Sequence, residues 1–186
     1  MSTPSLAFVN GANGHLGNNL VRFLLDQGVP VRASVRNLNS QAPLAGLNCE
    51  VVPSDITDKA SLLKALQGVE VCYAVGAVFK LWAKDPEVEI YQANVLGTRN
   101  LIEAAAESGV KRIIYISSIA ALNAQLSPIS EQNGYNPDRR NAYFNSKNDG
   151  EKLAFQLAQE LGIELVAILL TDGRELSVQR SYRTNV

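Results

Sequence analysis

A group of three glycines constrains the fold of this chain more strongly than any other feature. The segment Gly11-Ala12-Asn13-Gly14-His15-Leu16-Gly17 follows the apolar run Leu6–Val9 and opens an amphipathic stretch that continues to about Gln27. At this spacing the first glycine permits a tight turn, the second lets a phosphate approach the backbone, and the third lets a helix pack close to the strand. Amides at the start of the helix favour negative charge. Three glycines also occur in ordinary turns, but their position between a strand and a helix predicts a dinucleotide-binding βα unit.

Apolar runs of strand length alternate with segments of helical period along the rest of the chain. This alternation predicts an α/β protein, a doubly wound parallel sheet (Rossmann fold) of at least six strands with helices on both faces. Asp58 is the expected N-cap of the second helix, and residues 126–140 are expected to form a long loop. The predicted strands are Leu6–Val9, Val31–Val35, Cys49–Val52, Val69–Ala77, Arg112–Ser117 and Ile163–Leu170, and the predicted helices are His15–Gln27, Ala60–Leu66, Glu87–Ser108 and Ala142–Leu161.

The charge balance and the length of the apolar runs exclude several classes of protein. The 17 basic and 18 acidic side chains are well mixed and give a net charge of -1, so no nucleic-acid partner is expected. No apolar run approaches the roughly 20 residues that span a bilayer, and no cleavable leader is visible, so we expect a soluble, cytoplasmic protein without a membrane partner. Cys49 and Cys72 lie in apolar runs and are expected to be buried free thiols.

The end of the second predicted strand indicates which nucleotide the fold would hold. An acidic residue at this point of a Rossmann unit accepts hydrogen bonds from the 2′-hydroxyl of NAD and repels the 2′-phosphate of NADP. This chain has Val35-Arg36-Asn37 there and no carboxylate. Because a guanidinium forks its donors onto a phosphate dianion, Arg36 predicts NADP, with NAD as the alternative. A solvated arginine at a strand end is the competing interpretation.

A tyrosine and a lysine four positions apart suggest acid–base chemistry. Tyr143 and Lys147 share one face of a predicted helix. A free phenol has a pKa near 10 and holds its proton too tightly for efficient proton transfer at neutral pH. A lysine cation beside it favours the phenolate, so we expect Lys147 to lower the pKa of Tyr143. A surface tyrosine and a solvated lysine would show the same spacing.

Two serines end the fifth predicted strand, at the edge of the sheet where ligands bind in folds of this class. Ser118 precedes Tyr143 by 25 positions and follows Ser117 directly. We expect Ser118, rather than Ser117, to donate its hydroxyl to a substrate oxygen, with a strand-end cap as the alternative role.

Two further residues have functional and structural interpretations. His15, the one histidine of the chain, has no partner at metal-ligand spacing, so no metal site is expected. Trp82, in the segment Phe79-Lys80-Leu81-Trp82-Ala83-Lys84-Asp85-Pro86, borders a substrate or packs in the core.

Together these motifs resemble the extended short-chain dehydrogenase/reductases, the NAD-dependent epimerase/dehydratase family, and among them the dihydroflavonol-4-reductase-like proteins. The resemblance rests on the glycine turn, on VRASVR at Val31–Arg36, on the AVFKLWAKDPE stretch, on NVLGT from Asn94, and on YISS followed by YxxxK. It runs from Leu6 to about Leu169. Asn10 departs from the family pattern, which usually has threonine before the glycine turn.

The resemblance implies further contacts with the cofactor. Asp55-Ile56 matches an acidic–hydrophobic pair at the adenine edge, although a helix-start aspartate is an equal alternative. Val75-Gly76-Ala77 matches a small-residue turn beside the nicotinamide ribose, and Asn94 matches an asparagine that braces the central sheet. Lys147 would also hold the ribose hydroxyls. The expected cofactor-binding set is Gly11, Asn13, Gly14, His15, Leu16, Gly17, Arg36, Asp55, Ile56, Val75, Gly76, Ala77, Asn94, Tyr143 and Lys147, and the expected catalytic residues are Ser118, Tyr143 and Lys147.

The activity that the resemblance implies is an NADP(H)-dependent oxidoreductase that transfers hydride between the nicotinamide and a small ketone or secondary alcohol. One alternative is a nucleotide-sugar epimerase or dehydratase with tightly held NAD. Another is a non-catalytic NADP-binding regulator or subunit. A second copy of the chain, forming a homodimer, is left open as a further partner.

The pattern changes after the sixth predicted strand. Residues 1–170 are expected to form the NAD(P)-binding Rossmann domain, and residues 171–186 are expected to be an atypical polar tail without a hydrophobic pattern and without a substrate domain. An unpaired sixth strand would favour low stability or self-association. Without a lobe to position a substrate against the nicotinamide, we expect cofactor binding with slow or no turnover.

Overall fold

The computed structural model describes residues 4–80, 82–123, 125, 129–170 and 178–182. The strands are β1 (Ala7–Val9), β2 (Val31–Val35), β3 (Glu50–Pro53), β4 (Val71–Ala74), β5 (Arg112–Ser118), β6 (Glu164–Leu170) and β7 (Val178–Tyr182). The α-helices are α1 (His15–Asp26), α2 (Lys59–Ala65), α3 (Ala93–Glu107) and α4 (Ala142–Leu161), with a π-helical segment (Glu87–Gln92) directly before α3. Short 3-10 turns cover Leu38–Ser40, Ala42–Leu44, Ile119–Ala121 and Glu131–Asn133.

The strands form one sheet in the order β3-β2-β1-β4-β5-β6-β7. The first six strands are parallel, which confirms the predicted doubly wound fold. The direction of strand addition reverses between β1 and β4, and in such sheets a crevice opens at the carboxyl ends of the two strands at the reversal. The glycine turn lies at the end of β1.

Side chains alternate between the two faces of the sheet and build a core on each. On one face Ala7 and Val9 pack with Val21 and Leu24 of α1. On the other face Phe8 belongs to a larger cluster with side chains of α2, α3 and α4. The prediction of helices on both faces is therefore confirmed.

Local capping explains several helix bounds. Asp58 accepts hydrogen bonds from the backbone amides of Ala60 and Ser61 and is the N-cap of α2, as predicted. The Asn141 side chain caps α4, and Gly162 ends that helix with a φ of 68°, a conformation that favours glycine. Helix α4 has the predicted bounds.

Two predicted elements differ from the observed ones by more than one residue at an end. Strand β4 ends at Ala74 rather than Ala77, because the next two backbone amides donate to the side chain of Asn10 instead of to a neighbouring strand. The segment Glu87–Gln92 is π-helical, so the prediction of one continuous α-helix from Glu87 is wrong for this part. In the wider turn Ile90 is buried, while the Tyr91 hydroxyl reaches Asp149 of α4 at 2.9 Å.

The expectation of an exposed edge on the sixth strand is wrong, because residues 178–182 pair with it. Strand β7 pairs antiparallel with β6, with Val178 opposite Leu169 and Tyr182 opposite Leu165. Sheet pairing uses backbone groups, so a polar segment can occupy an edge position without an apolar pattern. The edge of β6 is consequently paired along five residues.

Both cysteines are free thiols. Cys72 is buried and Cys49 is partly buried. Within the described ranges, no helix is both long and apolar enough to cross a membrane.

Candidate active site

The glycine turn connects β1 to α1 at the reversal point of the sheet. Gly11 has a φ of +65°, and a Cβ atom on it would lie 2.8 Å from the Cα of Gly76. The ends of β1 and β4 are therefore closer together than a residue with a side chain at position 11 would allow. A Cβ on Gly17 would collide with the carbonyl oxygen of Gly11, which is the close helix–strand packing that the spacing predicts. Gly14 is the N-cap of α1 and offers no capping side chain. The first amides of α1 are therefore left for an external acceptor.

Asn10 braces this turn from inside the protein. Its side chain is 2% exposed, and its Oδ1 accepts hydrogen bonds from the backbone amides of Val75 at 2.5 Å and Gly76 at 2.7 Å. Because its side chain accepts from both amides, Asn10 joins the ends of β1 and β4, although the family pattern usually has threonine at this position.

The loop after β2 is tied to the glycine turn. Asn13 donates to the carbonyl oxygen of Ser40 at 3.1 Å, and Asn18 of α1 donates to that of Pro43 at 2.8 Å. Arg36, at the start of this loop, is exposed. Among the described residues it makes no ion pair, so its guanidinium is available to a ligand.

Asp55 and Ile56 hold the loop after β3. Asp55 accepts from the Thr57 amide at 2.8 Å and from the Thr57 hydroxyl at 2.7 Å. The helix-start role considered for it belongs to Asp58 instead. Ile56 packs against Gly97 of α3, and its carbonyl oxygen accepts from Asn100 at 2.9 Å.

Asn94 links the segment after β4 to α4. Its Oδ1 accepts from the Val78 amide at 2.7 Å, and its Nδ2 donates to the Val78 carbonyl oxygen and to the Ser146 hydroxyl, both at 3.0 Å. Ser146 in turn donates to the carbonyl oxygen of Tyr143 at 2.8 Å. The asparagine therefore braces the helix that carries Tyr143 as well as the sheet edge.

Tyr143, Ser118 and Lys147 come together at the carboxyl edge of β5. The Tyr143 hydroxyl is hydrogen-bonded to Ser118, whose Oγ also accepts from the Ala120 amide at 3.2 Å. Lys147 is 6% exposed, and its Nζ donates to the carbonyl oxygen of Ile116 at 3.2 Å. Ser117 instead turns its hydroxyl into the core, where that oxygen has no hydrogen-bond partner among the described residues.

Burial is the largest cause of the pKa shifts of Tyr143 and Lys147. Burial raises the pKa of the Tyr143 phenol above its usual value, and the hydrogen bond with Ser118 opposes the rise. The expectation that Lys147 lowers this pKa is therefore wrong for the protein alone, where burial and the hydrogen bond with Ser118 are the causes of the shift and the net direction is upward. Burial also lowers the pKa of Lys147 to about 8, while the charge of Glu151 opposes that shift. At neutral pH the site thus holds a protonated phenol beside a largely protonated lysine.

Aromatic side chains border the phenol. The ring of Phe79 meets that of Tyr143 edge-on with centroids 4.9 Å apart, although Phe79 is 64% exposed. Trp82 is 79% exposed, which rules out the core-packing interpretation. His15 is exposed at the start of α1, and the described residues contain no cluster suited to a metal ion.

Sequence analysis missed two residues of this region. Ser146 was not singled out, although it lies between Tyr143 and Lys147 in the sequence. Glu151 is fully buried, and its position four residues after Lys147 places it on the same face of α4. The signal available in the sequence was a charged residue that continues the four-residue spacing of Tyr143 and Lys147.

The sequence profile of a family described as NAD(P)H-binding matches residues 11–169. The chain therefore belongs to this NAD(P)H-binding family, and its motifs are those of the extended short-chain dehydrogenase/reductases. It is similar to a putative dihydroflavonol 4-reductase of Synechocystis sp., with 37% identity over 164 residues, covering 87% of this chain and 47% of the relative. The chain spans about half the length of the curated relatives that it matches.

Two solved structures have the same fold. A short-chain dehydrogenase/reductase superfamily protein from Agrobacterium tumefaciens with bound NAD has a TM-score of 0.75 and 27% identity, over 87% of this chain and 48% of that one. Yeast methylglyoxal/isovaleraldehyde reductase complexed with NADPH has a TM-score of 0.78 and 22% identity, over 87% of this chain and 56% of that one. The two neighbours hold different nucleotides.

Proposed function

We propose that the chain is the cofactor-binding and proton-donating part of an NADP(H)-dependent oxidoreductase that interconverts a ketone and a secondary alcohol. The observation that carries the proposal is the placement of Tyr143. Its hydroxyl is hydrogen-bonded to Ser118, and the Nζ of Lys147 lies 5.9 Å from the centre of its ring. The similarity to dihydroflavonol 4-reductases supports reduction of a carbonyl group.

The residues at the sheet edge fit a dinucleotide. Gly11 and Gly76 bring two turns without side chains close together, which leaves their backbone accessible, and the uncapped start of α1 supplies donors for a pyrophosphate. We assign the adenosine side to Arg36, Asp55 and Ile56, and the nicotinamide side to Val75–Ala77, Asn94 and the catalytic residues. When bound, the nicotinamide supplies or accepts the hydride.

The side chains of this protein perform the proton transfer. In the reducing direction Tyr143 Oη donates its proton to the carbonyl oxygen as hydride reaches the carbonyl carbon, which leaves a phenolate and the alcohol. Ser118 orients the substrate oxygen by donating its hydroxyl. The Lys147 ammonium stabilises the phenolate that forms and holds the ribose hydroxyls. The raised pKa of Tyr143 keeps the phenol protonated before the reaction.

Arg36 favours NADP(H) over NAD(H). It is exposed at the end of β2, and no carboxylate follows it before Glu50. A guanidinium there attracts the 2′-phosphate, whereas NAD has only a hydroxyl to offer. The same residue argues against the epimerase or dehydratase alternative with tightly held NAD. Retention of Tyr143 and Lys147 argues against a non-catalytic regulator.

The test is cofactor-dependent reduction of carbonyl compounds. NADPH oxidation is followed by absorbance with a panel of dihydroflavonols, ketosteroids and small ketones, and the alcohol product is identified by mass spectrometry. A ketone-dependent loss of NADPH with equimolar alcohol supports the proposal. Conversion of a nucleotide sugar without net consumption of cofactor would establish the epimerase alternative instead.

A further inference from the structure

Two side chains that are fully charged in water are buried together in α4. Lys147 is 6% exposed and Glu151 is 0% exposed. The other buried polar residues in the described part of the chain are neutral amides and hydroxyls. Removing a charge from water costs several kcal/mol unless an opposite charge or strong hydrogen bonds compensate. Lys147 and Glu151 carry opposite charges in the same buried region, so each reduces the cost of burying the other.

The spacing along α4 places the two charges in line with the phenol. Tyr143, Lys147 and Glu151 follow one another at intervals of four residues, so they lie on one face of the helix, one turn apart. Tyr143 is at the end of this row that reaches the sheet edge, and Glu151 is at the end that reaches the core. Lys147 lies between the proton donor and the carboxylate.

The surroundings of Glu151 are tightly packed. One residue earlier in α4, a Cβ atom on Gly150 would lie 3.0 Å from the hydroxyl oxygen of Tyr115 in β5, so helix and sheet nearly touch there. The Tyr115 hydroxyl is hydrogen-bonded to Thr98 of α3 at 3.1 Å. Burial raises the pKa of Tyr115 to about 12, and the charge of Glu151 contributes to the rise. Tyr115 therefore stays neutral and adds no negative charge beside Glu151 and Lys147.

The other ionisable groups near α4 are paired elsewhere. Asp149 binds the guanidinium of Arg139 at 2.6 Å and accepts from Tyr91 of the π-helical segment. Glu103 of α3 is paired with Lys59, and Glu164 at the start of β6 is paired with Arg112. Glu151 is thus the carboxylate placed to act on Lys147.

We propose that Glu151 is a positioning residue that keeps Lys147 charged and directed toward Tyr143 and the cofactor. Its carboxylate offsets the desolvation of the ammonium from the core side, so the lysine can be buried without losing its proton. The physiological value of this proposal rests on the function proposed above, but the electrostatic coupling is a property of the protein alone.

The pKa of Lys147 is close enough to neutral pH for a neighbouring charge to change its protonation state. Burial brings the pKa of Lys147 down to about 8, and Glu151 raises it against that effect. Without the carboxylate, the ammonium would lose its proton within the neutral range. Lys147 would then neither stabilise a phenolate nor hold the ribose through a charge.

The direct test is the titration of Lys147 in the free protein. NMR of isotope-labelled lysine side chains gives the pKa of each lysine, with the Lys147 signal assigned through Lys147→Arg. In Glu151→Gln, which keeps the shape and removes the charge, the pKa of Lys147 is expected to fall by about one pH unit or more. Lys152, which is partly exposed on the next turn, is the internal control and should not change. An unchanged pKa of Lys147 would overturn the proposal.

A second measurement covers the case in which Glu151→Gln folds poorly. If the two charges compensate each other, Lys147→Met and Glu151→Gln are each destabilising, and the double variant is more stable than Glu151→Gln alone. A double variant that is no more stable than Glu151→Gln alone overturns the pairing. Neither measurement needs cofactor or substrate, so a failure to bind NADPH would count against the proposed function and not against Glu151.

Discussion

The ammonium nitrogen of Lys147 lies 5.9 Å from the centre of the Tyr143 ring. It is held there by the carbonyl oxygen of Ile116 in β5, whereas the phenol hydroxyl is hydrogen-bonded to Ser118. The phenol of Tyr143 and the ammonium of Lys147 are therefore held by different residues of the same strand. This separation lets substitution distinguish their roles.

Replacement of Tyr143 by phenylalanine should abolish turnover and spare cofactor binding. The ring and its packing against Phe79 remain, but the transferable proton is lost, so ketone-dependent NADPH oxidation should fall by at least about 100-fold. The dissociation constant for NADPH, measured by fluorescence, should stay within about threefold. Tyr91→Phe is the matched control, because it removes a phenol hydroxyl that binds Asp149 and should leave the rate nearly unchanged. A Tyr143→Phe protein as active as the parent would remove Tyr143 from the mechanism.

Lys147→Ala should lower both the turnover rate and the affinity for NADPH. The ammonium is assigned to the phenolate and to the ribose, so both the rate and the NADPH affinity should fall by about tenfold or more. Lys152→Ala, five positions away on the same helix, serves as the control. Loss of activity with unchanged NADPH affinity would contradict the ribose contact.

Stability should rise with pH through the titration of Lys147. The folded lysine has a pKa of about 8 against 10.5 for an ordinary lysine, so between these values the unfolded chain binds more protons and a higher pH favours folding. From pH 7 to pH 9 the free energy of unfolding should gain about 1 kcal/mol from this residue. Urea unfolding of Lys147→Met should lack this gain. Because Cys72 and the tyrosines titrate alike in both proteins, parallel curves for parent and variant would refute the assignment.

Arg36→Ala should weaken NADPH binding and leave NADH binding unchanged. A charge-assisted contact with the 2′-phosphate contributes about 1.5–3 kcal/mol, so the dissociation constant for NADPH should rise by about tenfold or more. Calorimetric titration of both nucleotides gives the comparison. Arg99→Ala on α3, where the arginine is paired with Glu103, is the control for loss of a surface charge. Equal affinities of the parent for the two nucleotides, or a preference that survives Arg36→Ala, would disprove the role of Arg36.

Asn10→Ala should destabilise the protein at the reversal point of the sheet. The Gly76 amide would lose its acceptor, and the Val75 amide would keep only its bond to the carbonyl oxygen of Tyr73, at a cost of about 2 kcal/mol in the free energy of unfolding. NADPH affinity should fall as well, because the turns after β1 and β4 would separate. Asn19→Ala removes one exposed hydrogen bond in α1 and should shift the urea midpoint very little. Superimposable unfolding curves for Asn10→Ala and the parent would contradict this role.

The sequence predicted the elements that depend on local signals. Helix α4 has its expected bounds because Asn141 and Gly162 cap it within its own chain segment. The π-helical turn at Glu87–Gln92 could not be predicted, since its contacts with α4, such as Tyr91 with Asp149, join residues far apart in sequence. Strand β7 was missed for a related reason, because backbone pairing leaves no apolar pattern to detect.

In the candidate site, too, features that depend on local sequence were predicted, and features that depend on the whole fold were not. The spacing of Tyr143 and Lys147 indicates one helix face, and the structure places them there with Ser118. The direction of the Tyr143 pKa shift could not be read from the spacing, because it depends on how much water the whole fold excludes. Trp82 was ambiguous in the sequence because an aromatic residue after a strand suits both a surface and a core.

The strand order has a consequence for how the protein can form on the ribosome. β2 and β3 add outward from one side of β1, and β4, β5, β6 and β7 then add outward from its other side. Each new strand extends an existing edge, and none must be inserted between two strands already paired. The sheet can therefore grow in the order of synthesis, N-terminal part first. The two directions of growth meet where Gly11 approaches Gly76, so the glycine turn and the turn after β4 can come together before Asn94 and helix α4, which complete the nucleotide site, have been synthesised.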